Sequence, residues 1–303
     1  MTYPYTFKDC LERAERITWR VEDLINDDKR LDFSKAFMPE SLARATQLVF
    51  LSPNEQLKLN QIRGHAYLGI FGLVEEFILP FVLDHARPYI NGEDYRARAF
   101  LEFAAEEAKH IHLFRRFREA FTAGFGVACN VIGPPADIAA NVLSRPPLSV
   151  ALLTLHIEWM TQRHFQESVR DAGDLDAQFK DLLLHHWMEE YQHAQLDTLM
   201  VRTIADGMSE ADIQAGIEGY LALGAFLDEG LKHQVLFDMV ALERAIGRTL
   251  DEDQSAAFTH VQHQANRWTY IGSGMSHPKF LETLGELSPR MRDTIAAAAP
   301  TFS

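Results

Sequence analysis

Cysteine is almost absent from this chain, which carries only Cys10 and Cys129 among its 303 residues. Two thiols cannot supply a disulfide framework, a cysteine-ligated zinc site or an iron–sulfur cluster. A chain with so few cysteines is typical of the cytoplasm, where thiols stay reduced. We therefore expect a cytoplasmic protein that uses none of these three kinds of site.

Basic residues are also scarce. The chain has 29 Lys and Arg residues against 43 Asp and Glu residues, which gives a formal net charge of -14 at pH 7. Contacts with phosphate groups need a surplus of Lys and Arg, so this balance argues against a general nucleic-acid binder. It also argues against binding to an anionic membrane surface.

Long apolar runs are missing as well. The first twenty residues, MTYPYTFKDCLERAERITWR, carry charges early and contain no apolar segment of the kind found in a secretory signal. The longest uncharged run, residues 121–136, is interrupted by three glycines and two prolines. It is too short and too broken to cross a bilayer as a helix, so we expect no membrane segment.

Strand signals are scarce, and helical periodicity dominates. No change of composition marks a domain boundary, so residues 1–303 are predicted to form one all-α domain. The Gly- and Pro-rich segment 123–147 is predicted to be an irregular crossover connection of the kind that some bundles need. Helices are predicted over residues 7–28, 36–50, 53–86, 93–122, 148–172 and 174–206, with three or four more over 209–298.

Two of the thirteen histidines have a glutamate three positions before them: Glu107 precedes His110, and Glu190 precedes His193. Residues at i and i+3 lie on one face of a helix, so each pair can direct a carboxylate and an imidazole at one point. About one such pair is expected by chance, and a single pair is more typical of a solvated helix face.

The context of the two pairs changes that interpretation, because each follows a helix with a carboxylate in an apolar stretch. Glu76 precedes Glu107 by 31 residues, and Glu158 precedes Glu190 by 32. An unpaired carboxylate in such a stretch costs several kcal/mol, and residues 64–86 contain no Lys or Arg to pair with it. A metal ion is the natural partner, and oxygen ligands combined with imidazole suit iron or manganese.

The choice between two adjacent glutamates of the first helix is open. Aligning LHIEWM with LVEEFI sets Glu158 against Glu76, which favours Glu76 over Glu75. Glu106 and Glu189 are interpreted as non-ligands, because the i+3 spacing selects the second glutamate of each pair. Asp197, four positions after His193, is predicted to accept a hydrogen bond from a ligating imidazole.

Over about residues 60–205 this pattern resembles the ferritin-like di-iron carboxylate family, whose site takes one Glu from each of two helices and Glu-x-x-His from two others. The resemblance implies a four-helix bundle core with additional N- and C-terminal helices. It implies two iron ions, with manganese as the alternative metal. The ligands expected from it are Glu76, Glu107, His110, Glu158, Glu190 and His193.

His186 adds a further point of resemblance. It stands four residues before Glu190, where the p-aminobenzoate (arylamine) N-oxygenase branch of the family has an additional histidine. A packing role for His186 is the alternative. The resemblance implies an O₂-dependent oxygenase that N-oxygenates an amine through a peroxo di-iron intermediate, with no catalytic residue beyond the metal ligands.

Cofactors and partners follow from the same resemblance. The expected partners are a small organic substrate and an external electron donor, either a reductase or a ferredoxin. A homodimer is only the default expectation for a soluble protein. Three alternatives stay open: a di-iron hydroxylase or desaturase acting on an aromatic or acyl substrate, a non-enzymatic ferritin-like iron-binding protein, and a purely structural helical protein.

Overall fold

The computed structural model describes residues 5–92 and 94–302, and its regular secondary structure is helical. Within these residues there is one isolated bridge, between Ala36 and Leu175, and no strand, so the prediction of an all-α fold is confirmed. The α-helices are α1 (Phe7–Ala14), α2 (Val21–Leu24), α3 (Glu40–Ala43), α4 (Pro53–Ala86), α5 (Asp94–Phe125), α6 (Pro135–Leu143), α7 (Pro147–His164), α8 (Ala177–Ala205), α9 (Glu210–Ile246), α10 (Glu252–Arg267), α11 (Ser273–Met275), α12 (Pro278–Leu287) and α13 (Pro289–Ala298). Short 3-10 or π segments occupy Ala45–Gln47, Arg87–Tyr89, Phe165–Val169, Trp268–Gly272 and Ala299–Phe302.

Four long helices form the centre of the bundle. Helix α4 packs along α5, α7 packs along α8, and α5 meets α8 between the two pairs. The N-terminal helix α1 lies against α5 and α8, while α9 covers α4 and α7 from the other side. The predicted arrangement of a bundle core with additional N- and C-terminal helices is therefore what the chain adopts.

Helix α4, the first core helix, begins at a clear start signal in the sequence. Ser52 and Glu55 cap each other's backbone amides, and Pro53 occupies the first turn, where no amide hydrogen is needed. The stretch Pro53–Tyr89 is long and apolar enough to cross a membrane by length and composition. In its most apolar window, 67% of the residues are buried inside the protein, as in the core helix of a bundle.

Elsewhere the predicted helices are interrupted by local backbone chemistry. The stretch 7–28 splits because the Asp23 carboxylate accepts a hydrogen bond from the Arg20 amide and starts α2 afresh. The stretch 36–50 is broken at Arg44, whose φ of 47° is left-handed. The segment 123–147, predicted to be irregular, contains α6, which has a proline at its first turn.

A buried ion pair links α4 to α9. Arg63 Nη1 lies 3.5 Å from Asp238 Oδ2, and the two side chains are 4% and 2% exposed. Arg63 also donates to Asn266 of α10, and Gln234 donates to Asp238 at 2.8 Å. Burial raises the pKa of Asp238 to about 6, against the opposing charge of Arg63. These contacts fasten the outer helices to the bundle.

Candidate metal centre

The two Glu-x-x-His pairs face each other across α5 and α8, and all four side chains are at most 2% exposed. His193 Nδ1 lies 2.9 Å from Glu107 Oε1 and 3.0 Å from Glu190 Oε2. His110 Nδ1 lies 3.4 Å from Glu107 Oε2 and 3.1 Å from Glu190 Oε1. Each carboxylate thus directs one oxygen at each imidazole, as the i, i+3 spacing predicts.

His186 and Glu158 extend this cluster. His186 lies one turn before Glu190 on α8, and its Nε2 is 2.6 Å from Glu190 Oε1. Glu158 of α7 is 2% exposed and lies beside Glu190. Burial, and then the charge of Glu190, raise the pKa of Glu158 well above its usual value. The imidazoles of His186 and His193 hold the pKa of Glu190 well below its usual value, although burial opposes them.

The Glu76 side chain, which the sequence favoured as the ligand of this helix, is exposed, and Glu75 stands in its place in a group of ligand atoms that could hold a metal ion. Glu75 is 2% exposed, and its Oε1 lies 3.6 Å from His186 Nε2. The reason lies in the faces of α4. Gly72, one turn before Glu76, has open space beside it, whereas Phe71, one turn before Glu75, packs edge-on against His186.

The outer nitrogens of the two motif histidines are held by crossed contacts between the helices. His110 Nε2 of α5 lies 2.9 Å from Glu189 of α8, and His193 Nε2 of α8 lies 2.7 Å from Glu106 of α5. In neutral imidazoles, an Nε2–H that donates to a carboxylate leaves the Nδ1 lone pair free for a metal ion. The first glutamate of each Glu-Glu pair, Glu106 or Glu189, is the sequence feature that could have indicated this contact with an imidazole.

The prediction for Asp197 is wrong. Neither of its carboxylate oxygens has a hydrogen-bond partner among the residues that the structure describes, and Glu106 occupies the outer nitrogen of His193 instead. Glu106 also accepts from Gln192 at 3.2 Å, while Glu189 accepts from Lys109. These polar neighbours provide hydrogen-bond donors for the buried oxygens of Glu106 and Glu189.

The cluster fits a cation, because polar atoms converge there that have no hydrogen-bond partner among the described residues. Four buried carboxylates would repel one another without a positive charge between them, and two divalent ions balance them. Two groups of ligand atoms could hold a metal ion, each group lying within 4.8 Å: Glu75, His110, His186 and Glu190 in one, and Glu107, His110, Glu190 and His193 in the other. The unpartnered atoms are Glu75 Oε2, both oxygens of Glu107, His110 Nδ1, Glu158 Oε2, His186 Nε2 and Glu190 Oε1.

Comparison with known proteins bears on the fold. No family model and no curated protein matches the sequence. Among solved structures, the chain is similar to a mutant R2-like ligand-binding oxidase with an Mn/Fe cofactor, at 16% identity over 89% of this chain and 94% of that one, with a TM-score of 0.50. A second such mutant, with an Fe/Fe cofactor, gives the same identity and coverage and a TM-score of 0.49. The chain therefore has the fold of a ferritin-like, R2-type helical bundle.

Proposed function

We propose that this protein is an O₂-dependent, non-haem di-iron oxidase that acts on a small organic substrate. The observation that carries the proposal is the convergence of unpartnered carboxylate and imidazole atoms at the centre of the bundle. The similar R2-like oxidases carry Fe/Fe or Mn/Fe cofactors, which supports the same class of metal here. The proposed ligands are Glu75, Glu107, His110, Glu158, His186, Glu190 and His193.

The contacts divide these ligands between two positions. Glu107 and Glu190 each direct one oxygen at His110 and the other at His193, so both carboxylates could hold a metal ion beside either imidazole. Glu75 and His186 would hold one ion together with His110 and Glu190, whereas Glu107 and His193 would hold the other with the same two residues. Glu158, which lies beside Glu190, would add a further carboxylate. When bound, the metal ions supply the electrons and the Lewis acidity that O₂ activation requires.

The protein's own residues prepare the site for that chemistry. Glu106 and Glu189 lie against the Nε2 atoms of the two motif imidazoles and fix the orientation of both rings, so that Nδ1 of each would face a bound ion. Phe103 stacks on His193 with ring centroids 3.9 Å apart, and Phe114 packs edge-on against His186. These aromatic walls exclude water, which would otherwise compete for the open positions.

We further propose that the substrate is an amine and the reaction is N-oxygenation. The support is His186, which brings a third imidazole to the cluster at the position where the arylamine N-oxygenase branch has one. A neutral imidazole adds electron density to its metal position without adding charge. An external reductase or ferredoxin would return electrons to the centre after each turnover.

The test is to load the purified protein with Fe(II) under anaerobic conditions and mix it with O₂ while recording the visible spectrum. We expect about two iron ions per chain and an absorption band that decays faster when an arylamine is present. Mass spectrometry should then find the N-oxygenated product. A hydroxylated or desaturated product would show that the protein is a hydroxylase or a desaturase instead of an N-oxygenase. Uptake of many iron ions would indicate iron storage. A protein that binds no iron would refute the whole proposal.

Replacing His186 separates the N-oxygenase proposal from the wider di-iron one. In His186→Ala, we expect the lifetime of the O₂-dependent absorption to change about ten-fold or more, while most of the iron stays bound by the other ligands. His185→Ala is the matched control, because His185 bonds the Asp181 carbonyl and lies outside the cluster. Equal lifetimes in the two variants would remove the main support for N-oxygenation.

A further inference from the structure

A cavity of about 650 Å³ lies between α4, α6, α7 and α9. This size is typical of sites for small organic ligands. Its wall is mainly aliphatic and aromatic and includes one side of α4 from Gly69 to Phe77. Phe226 and Phe237 of α9, which are 40% and 37% exposed, lie at its outer side. The lining contains no acidic residue, and its ionisable residues are Arg118 and His233.

Arg118 is a partly buried cation that no acidic side chain in residues 5–92 and 95–302 pairs with. Its side chain makes no hydrogen bond or ion pair with any residue in the described part of the chain, and burial lowers its pKa. Its neighbours Arg115 and Arg116 on α5 both pair with Glu119. The pKa of nearby His65 is lowered to about 3, by burial and by the charge of Arg118, so this imidazole is neutral at pH 7.

The position of Arg118 determines how long a molecule bound to it must be to reach the level of the carboxylate cluster. Arg118 follows His110 by eight residues on α5, which is about 12 Å along the helix axis. The cavity extends along α4 to Phe77, beyond the level of Glu75, and reaches Ile157, the residue before Glu158 on α7. A molecule held at Arg118 therefore needs a body about 12 Å long for its other end to reach the level of the carboxylate cluster.

We propose that Arg118 anchors the carboxylate of an elongated, apolar monocarboxylic acid, whose body fills the cavity and whose far end lies toward the cluster. One guanidinium neutralises one carboxylate through two parallel hydrogen bonds, and the apolar wall strengthens that pairing by excluding water. A ligand group with two negative charges would leave one of them unpaired beside the apolar wall of the cavity. The binding of this acid does not depend on the proposed function. Its role as the substrate does rest on that function.

The test uses metal-free protein and two probes of nearly equal shape, 4-butylbenzoate and 4-butylbenzamide, in calorimetric titrations. We expect the acid to bind at least ten-fold more tightly than the amide. Arg118→Gln should lose roughly ten- to a hundred-fold of the affinity for the acid and little of that for the amide, because only the acid uses the charge. Arg118→Lys should retain part of the preference for the acid. Arg115→Gln, on the same helix and paired with Glu119, should bind both probes as the unchanged protein does.

A second variant tests the cavity itself. Ile138→Trp would place a larger side chain in the cavity from α6, and it should weaken the binding of both probes by at least ten-fold. Equal affinity for acid and amide in the unchanged protein would overturn the role of Arg118, and so would unchanged acid binding in Arg118→Gln. Full binding in Ile138→Trp would overturn the cavity as the site. Because no metal is present, these results are independent of whether iron binds or reacts.

Discussion

Glu190→Ala should purify and refold as a helical protein that holds less than about a tenth of the iron bound by the unchanged chain. Glu190 is the side chain on which the cluster converges, since its two oxygens contact His186, His110 and His193. Removing it takes a proposed ligand from both metal positions at once. Iron is measured by elemental analysis after anaerobic loading and desalting, and circular dichroism checks that the bundle has formed.

The neighbouring glutamates of α4 provide a matched comparison for this experiment. Glu75→Ala should lose about half of the iron, because Glu75 reaches only the position that includes His186. Glu76→Ala should keep all of it, because its side chain is exposed. If Glu76→Ala loses iron while Glu75→Ala retains it, then the proposed ligand set is wrong at this helix.

Arg63→Met should lower the free energy of unfolding by about 3 to 5 kcal/mol in urea titrations of the metal-free protein. The substitution keeps an unbranched stem but leaves the Asp238 carboxyl, which is only 2% exposed beside Gln234, without its cation. The cost should shrink as the pH falls. Burial raises the folded-state pKa of Asp238 to about 6 even beside Arg63, and removing this cation raises it further. The folded variant therefore takes up a proton before the unchanged protein does, and it regains stability relative to that protein as the pH falls toward about 6.

Two further variants serve as controls for Arg63→Met. Arg16→Met removes an exposed partner of Glu12 and should change the free energy of unfolding by less than about 1 kcal/mol. Adding Asp238→Asn to Arg63→Met should recover part of the lost stability, because no buried charge then remains. An Arg63→Met protein as stable as Arg16→Met would contradict a structural role for the buried pair.

Sequence patterns predicted the core helices well where local chemistry marks their ends. The Ser52–Glu55 capping box and Pro53 placed the start of α4 at its observed residue, and the motif helices α5 and α8 were predicted to within three residues at each end. The sequence could not decide between Glu75 and Glu76, because α4 is apolar on nearly every side. Periodicity then gives no indication of which side faces the bundle centre.

Other features depend on distances between helices that the sequence does not contain. The i, i+3 rule brought Glu107 and His110 to one face of α5, but it could not indicate that Glu106 would reach across to His193. Likewise, nothing in the pattern around Arg118 predicted a cation that lacks a counter-charge, since Arg115, three positions earlier, finds one in Glu119. Such contacts are set by how the helices pack.

The crossed contacts also bear on when the centre forms as the chain is made. His110 is separated by 79 residues from Glu189, and Glu106 by 87 from His193. Synthesis delivers α5 first, and until α8 follows, its half-site offers too few fixed ligands to retain an ion. The two half-sites can therefore combine into a centre able to hold a metal ion only after α8 has packed against α5.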